Sequence, residues 1–243
     1  MAIDLHKYAN PTRFLRIANA IFPWSIVTTV VLLATGLYLG LFVSPADYQQ
    51  GETVRIMFVH VPAAWMAMSV YSMMAVSSAA GLIWKHPVAD LSAKAAAPIG
   101  ACFTFLALVT GSLWGQPMWG AYWVWDARLT SMLILLFLYL GYMAVWGSFE
   151  DQSKAAKAAA ILVLIGAINI PIIKFSVDWW NTLHQPASVA TMDGPKIHSS
   201  ILTPLLIMGL GYTSLFVTIF IIRVRTEILG RRLRMLRVNQ LQE

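Results

Sequence analysis

One cysteine, Cys102, stands among 243 residues, so the chain can form no internal disulfide, no Cys-pair metal site and no Cys-x-x-Cys-His motif for covalent cofactor attachment. Any metal it handles must be held by imidazole. Charge is equally scarce: 12% of residues are charged and 58% hydrophobic, with mean hydropathy +0.67, against roughly a quarter charged in a soluble domain. An ordinary soluble globule is excluded. There is no Gly-x-x-x-x-Gly-Lys-Ser/Thr run, so the chain has no nucleotide motif of its own. No Ser/His/Asp, Cys/His or paired-carboxylate constellation falls on one side of the membrane, and the chain is expected not to be an enzyme. The net charge of +6 comes from residues flanking apolar runs, not from a basic patch interleaved with aromatics, so no nucleic acid is expected. No internal repeat or linker divides the chain, which reads as a single membrane domain over residues 1–243.

What is abundant is apolar sequence in lengths that cross a bilayer, about 20 residues each. Six such runs occur, at Trp24–Val43, Met57–Trp84, Ala95–Leu113, Leu129–Trp146, Ala155–Ile173 and Ile201–Ile222, and predict an all-α bundle of six transmembrane helices. The first follows a polar, basic lead without an early small-x-small cleavage signal and reads as a retained anchor. Pro62 and Pro98 suit first-turn positions of the second and third helices, where a missing N–H costs nothing.

Lys and Arg set the orientation. Thirteen of the 17 lie on one side, including Lys7, Lys85, Lys94, Lys154 and six arginines of Arg223–Arg237; Arg55, Arg128, Lys174 and Lys196 lie on the other. Both termini are therefore expected in the cytoplasm. The basic tail fits a stop-transfer role at anionic lipid. The longer connections, and most of the unusual side chains, then lie outside.

The third and fourth spans are joined by an outer loop, 114–128, in which Trp114, Trp119, Tyr122, Trp123 and Trp125 fall within twelve residues. An interfacial girdle would use indoles too, but it calls for one or two aromatics per helix end and no glycines between them. Gly111, Gly115 and Gly120 let the backbone turn and approach closely, so the loop can lie flat and offer indole faces to a large, flat, apolar guest. Imidazole ligates iron well, and a porphyrin suits an indole bed. His6 and His86 fall on the cytoplasmic side; His60, His184 and His198 fall outside. His60 enters the second span at the depth of the Trp loop. In the outer loop 174–200, Asp178 can cap a short amphipathic interfacial helix that Pro186 ends, putting Trp180 and His184 on one face. His198 suits a ligand or an interfacial residue equally. Each histidine alone could be structural; a pair beside the Trp run makes a bis-imidazole haem site. Arg55 and Arg128 could each hold a propionate, or pair locally with Glu52 and Asp126. Asp126 could cap the fourth helix or orient an indole.

Trp119-Gly-Ala-Tyr-Trp123-Val-Trp125-Asp126 matches the Trp-Gly-x-x-Trp-x-Trp-Asp motif of the WWD haem-handling proteins, and the whole chain, with six spans and one outer histidine on each side of the motif, resembles the CcmC family of bacterial cytochrome c maturation. The resemblance implies b-type, non-covalent haem with His60 and His184 as axial ligands. It also implies a periplasmic site on the inner membrane, presentation to the haem chaperone CcmE, and CcmA, CcmB and CcmD as partners. His198 is left unassigned by it. The alternative is a haem-exporting permease subunit of the same ABC-type complex, but a permease calls for polar side chains at mid-bilayer. Asn169 is the main one here, with Thr28, Thr29, Thr35 and Thr104 read as helix–helix glue. A quinol-oxidising cytochrome b would bury its histidines within the spans, and a plain assembly scaffold would carry no pigment.

Overall fold

The computed structural model describes residues 10–185, 188–189 and 194–240, and among these every regular element is helical. His6, Lys7 and the expected helix stop Pro186 lie outside the described residues. Helix α1, Pro11–Tyr38, begins well before its apolar run because Asn10 accepts the Thr12 N–H at 2.9 Å and Pro11 takes the first-turn position. It ends in a π-helical turn, Leu39–Val43. A 3-10 turn, Glu52–Ile56, leads into α2, Met57–Trp84. Helix α3, Pro87–Trp119, outruns its apolar core at both ends. His86 caps it, Nδ1 accepting the Ala89 N–H at 3.2 Å, and it continues through Trp114 to Trp119. Helix α4 is Ala127–Gly147. Pro62 and Pro98 therefore lie inside α2 and α3 rather than in their first turns; in α3 that place is taken by Pro87.

The fifth span is broken into α5, Gln152–Gly166, and α6, Asn169–Trp179. Pro171 has no N–H for the Ala167 carbonyl, which accepts from Ile170 at 3.1 Å instead. Asn169 holds the break, its amide donating to the buried Ser131 carbonyl of α4 at 2.8 Å. The expected interfacial helix after Asp178 does not form. Asp178 lies in the last turn of α6, and Trp180 to Gln185 are irregular, so Trp180 and His184 share no helical face. The physical reason is local: Trp, Asn and Thr are weak helix formers, and the Thr182 hydroxyl accepts the His184 N–H at 3.1 Å, a turn that competes with helix. The last helix, α7, Ser199–Gln240, has 42 residues and so runs about 63 Å, past the bilayer into its arginine-rich end.

Six helical segments are long and apolar enough to cross a membrane, and the chain is a multi-pass membrane protein. Helices α1 and α7 run antiparallel. Thr29 of α1 meets Ser214 of α7 at 2.9 Å, while Thr12 accepts from Arg232 at 3.3 Å. In the core, the buried Tyr71 and Tyr139 rings meet edge to face at 5.1 Å, and the Tyr139 hydroxyl donates to the Ala67 carbonyl at 2.7 Å, tying α4 to α2. At the basic end Lys94 of α3 pairs with Glu227 of α7 at 2.9 Å and lies over the Trp146 ring. This frame sends the connections at 44–56, 120–126 and 180–198 to the opposite, aromatic end.

Removing the Asn169 bridge with Asn169→Ala is expected to destabilise the bundle by about 1 kcal/mol, read as a lower apparent Tm in detergent. Thr28→Val, on an exposed hydroxyl bonded only to its own helix, is expected to melt like the parent.

Candidate functional site

At the aromatic end the platform is half helix and half loop. Trp114 and Trp119 belong to α3, which stops because Gly120 adopts φ 77° and turns its N–H back to Gln116 at 2.9 Å. Trp123 and Trp125 follow on the short extended link to α4, edge to face at 5.4 Å. Of the glycines expected to flatten a loop, Gly111 is helical and instead makes room for an imidazole: a Cβ there would lie 2.9 Å from His60 Cε1.

His60 and His184 are held in the same manner. His60 Nδ1 lies 3.0 Å from the Ala107 carbonyl and 3.2 Å from the Thr110 hydroxyl. A carbonyl only accepts, so Nδ1 carries the proton and Nε2 keeps its lone pair. His184 Nδ1 lies 2.8 Å from Asp126 Oδ2, which likewise leaves Nε2 free. Each imidazole also has one indole of α3 edge-on to it: Trp114 at 5.6 Å from His60, Trp119 at 4.8 Å from His184. Burial lowers the His184 pKa from its ordinary value, outweighing the Asp126 carboxylate that raises it, so the ring favours the neutral form that ligates metals.

Asp126 has two jobs. Oδ1 caps α4 by accepting the Leu129 N–H at 2.7 Å, as its sequence position predicts, while Oδ2 orients His184 rather than an indole. Arg128, in the first turn of α4, donates to Ser176 of α6 at 3.2 Å. Arg55 is engaged elsewhere: it pairs with Glu52 and donates to the Gly40 and Leu41 carbonyls that end the first span. Tyr122 and Trp125 are exposed, Trp180 is half exposed beside Trp179, and among the described residues the His198 side chain bonds locally to Ser200. The Trp123 indole N–H is buried without a hydrogen-bond partner among the described residues.

A shallow cavity of about 240 Å³ opens beside Asp126, lined by Trp125, Asn181, Thr182 and Leu183. Among the described residues no three His, Cys, Asp or Glu side chains converge to hold a bare ion. Two imidazoles suit a metal that brings its other ligands with it. Ala107, Thr110 and Gln50, whose side chain accepts the Trp114 N–H at 3.0 Å, are site residues that the reading of the sequence missed. Ala107, Gly111 and Trp114 do recur at helical spacing along one face of α3, a legible signal; Gln50 carries none.

Comparison with known proteins decides what this arrangement belongs to. The family model described as CcmC, heme exporter protein C, matches residues 4–239. The chain belongs to the CcmC family. Several relatives carry the name heme exporter protein C. The one from Bradyrhizobium diazoefficiens is 60% identical over 98% of this chain and 89% of its own length. That of Escherichia coli K12 is 49% identical over 93% and 91%, and that of Paracoccus denitrificans 46% over 95% and 96%. As a CcmC-family protein the chain is thus matched along nearly its full length.

The two jobs of Asp126 can be separated. Asp126→Ala should lose the α4 cap and about 1 kcal/mol of stability, while Asp126→Asn, also a good cap, should melt near the parent. Thermal melts in detergent check both.

Proposed function

We propose that this protein binds haem non-covalently at the periplasmic face of the bacterial inner membrane and presents it to the chaperone CcmE during cytochrome c maturation. The observation that carries the reading is the matched pair of imidazoles: each has Nδ1 tied down, Nε2 free and one α3 indole against it. Haem is the cargo, and the residues fit it. Four in-plane nitrogens come with the porphyrin, so two axial imidazoles complete the iron. Its carboxylates offer an acceptor for the orphaned Trp123 N–H and a counter-charge for Arg128. Arg128 serves better than Arg55, whose guanidinium already satisfies the end of the first span. Trp114, Trp119, Trp123 and Trp125 supply apolar surface, with exposed Tyr122 and Trp180 at its margin.

The chain's part is holding and orienting, not bond-making. The Ala107 carbonyl and Asp126 fix the two ring tautomers; Arg128 steadies the carboxylate edge. Retention must be conditional, since a carrier that grips equally before and after hand-over releases nothing. The work of release falls to the partner ATPase CcmA with CcmB, and CcmD completes the set; their docking side is the cytoplasmic end, where both termini lie by the distribution of positive charge. A polar transport path through this chain has little support, because Asn169, the main polar residue within the spans, is committed to the Ser131 carbonyl.

The test is the absorption spectrum of the chain purified in detergent. The parent should show low-spin haem. His60→Ala and His184→Ala should each abolish that spectrum, and Asp126→Asn should weaken haem retention about tenfold. His198→Ala should match the parent; disruption by His198→Ala alone would overturn the ligand assignment.

A further inference from the structure

The first outer connection is built as a rigid turn with one side chain reaching into the site. Asp47 Oδ1 accepts the N–H groups of Gln49 and Gln50, each at 2.9 Å. Asp47 and Gly51 pair backbone to backbone in both directions, at 3.2 and 2.8 Å, and the Thr53 hydroxyl donates to the Gln50 carbonyl at 2.6 Å. Downstream, Arg55 fastens the connection to the end of the first span through the Gly40 and Leu41 carbonyls. The turn is thus fixed at both ends before Gln50 does anything. Its Oε1 then accepts the Trp114 indole N–H at 3.0 Å. An indole N–H can only donate, so the amide oxygen and not its nitrogen faces the ring.

Trp114 stands edge-on to His60, with an interplanar angle of 74°. The hydrogen bonds of His60 Nδ1 fix one nitrogen of the ring. The Gly111 backbone packs on Cε1. The Trp114 ring is the further wall, and Gln50 holds that wall. Resting on the reading that His60 is an axial ligand, we propose that Gln50 is a positioning residue: it fixes the plane of the His60 imidazole through Trp114 and so sets how firmly haem is retained. This assigns a function to the first outer turn, which contributes no ligand of its own.

The test uses the full chain, loaded with haem in detergent, and two readouts: the rate of haem loss to excess apomyoglobin, and the low-spin EPR anisotropy, which reports the angle between the imidazole planes. Gln50→Leu is expected to lose haem about tenfold faster, because the indole N–H is left unsatisfied, and to shift the EPR anisotropy. Gln50→Glu keeps the acceptor and should restore both; Tyr48→Ser, on an exposed side chain of the same turn, should change neither. In a Trp114→Phe background, Gln50→Leu should add nothing, since the partner is gone. A Gln50→Leu chain that loads and matches the parent, or an undiminished effect without Trp114, overturns the assignment of Gln50 alone. A parent chain that takes up no haem overturns the haem reading, and the assignment with it.

Discussion

Asp126 holds helix α4 with one carboxylate oxygen and the His184 imidazole with the other. Everything at the aromatic end follows from that double attachment and from its counterpart on α3, where a backbone carbonyl holds His60. One imidazole is mounted on a packed helix, the other on an irregular segment. Without Asp126 the second would keep only its Thr182 turn and its contact with the Trp119 ring. A carboxylate that must cap a helix cannot wander, so His184 inherits the rigidity of the bundle through it.

The bundle supplies that rigidity unevenly. Helix α3 is the pillar: it is embedded in the core through alanines and contributes Ala107, Thr110, Gly111, Trp114 and Trp119 to the site along its upper turns. The broken fifth span is different. Its upper half, α6, is held at the break by Asn169 and at its top by the Arg128–Ser176 contact. The segment carrying His184 therefore follows a half-span held by its own contacts, while His60 stands on the unbroken helix α2.

Much of this was legible in the sequence. Six apolar runs gave six spans because lipid leaves a chain little choice but to satisfy its backbone within helices, and the density of indoles pointed to the end of the bundle where His60 and His184 each meet an α3 indole. The errors have physical causes. Apolar length underestimates a helix whose ends are set by caps, so α1 and α3 began early and Trp114 and Trp119 turned out helical. Periodicity placed a helix over Trp180 and His184 that the Thr182 turn prevents. The pairing of His184 with Asp126 spans 58 positions, and no local pattern announces a contact of that range. The local pairing of Arg55 with Glu52 was legible, but its other partners are carbonyls, which are invisible as sequence.

The central claim is that two imidazoles, one on α2 and one on the irregular segment after α6, offer their ε nitrogens to one metal atom. Pulsed EPR of the ferric haem complex with ¹⁵N-histidine incorporated tests it most directly. Two strongly coupled axial histidine nitrogens, with the δ nitrogens of both rings protonated, is the predicted result. A high-spin centre, or coupling to a single histidine, would contradict it.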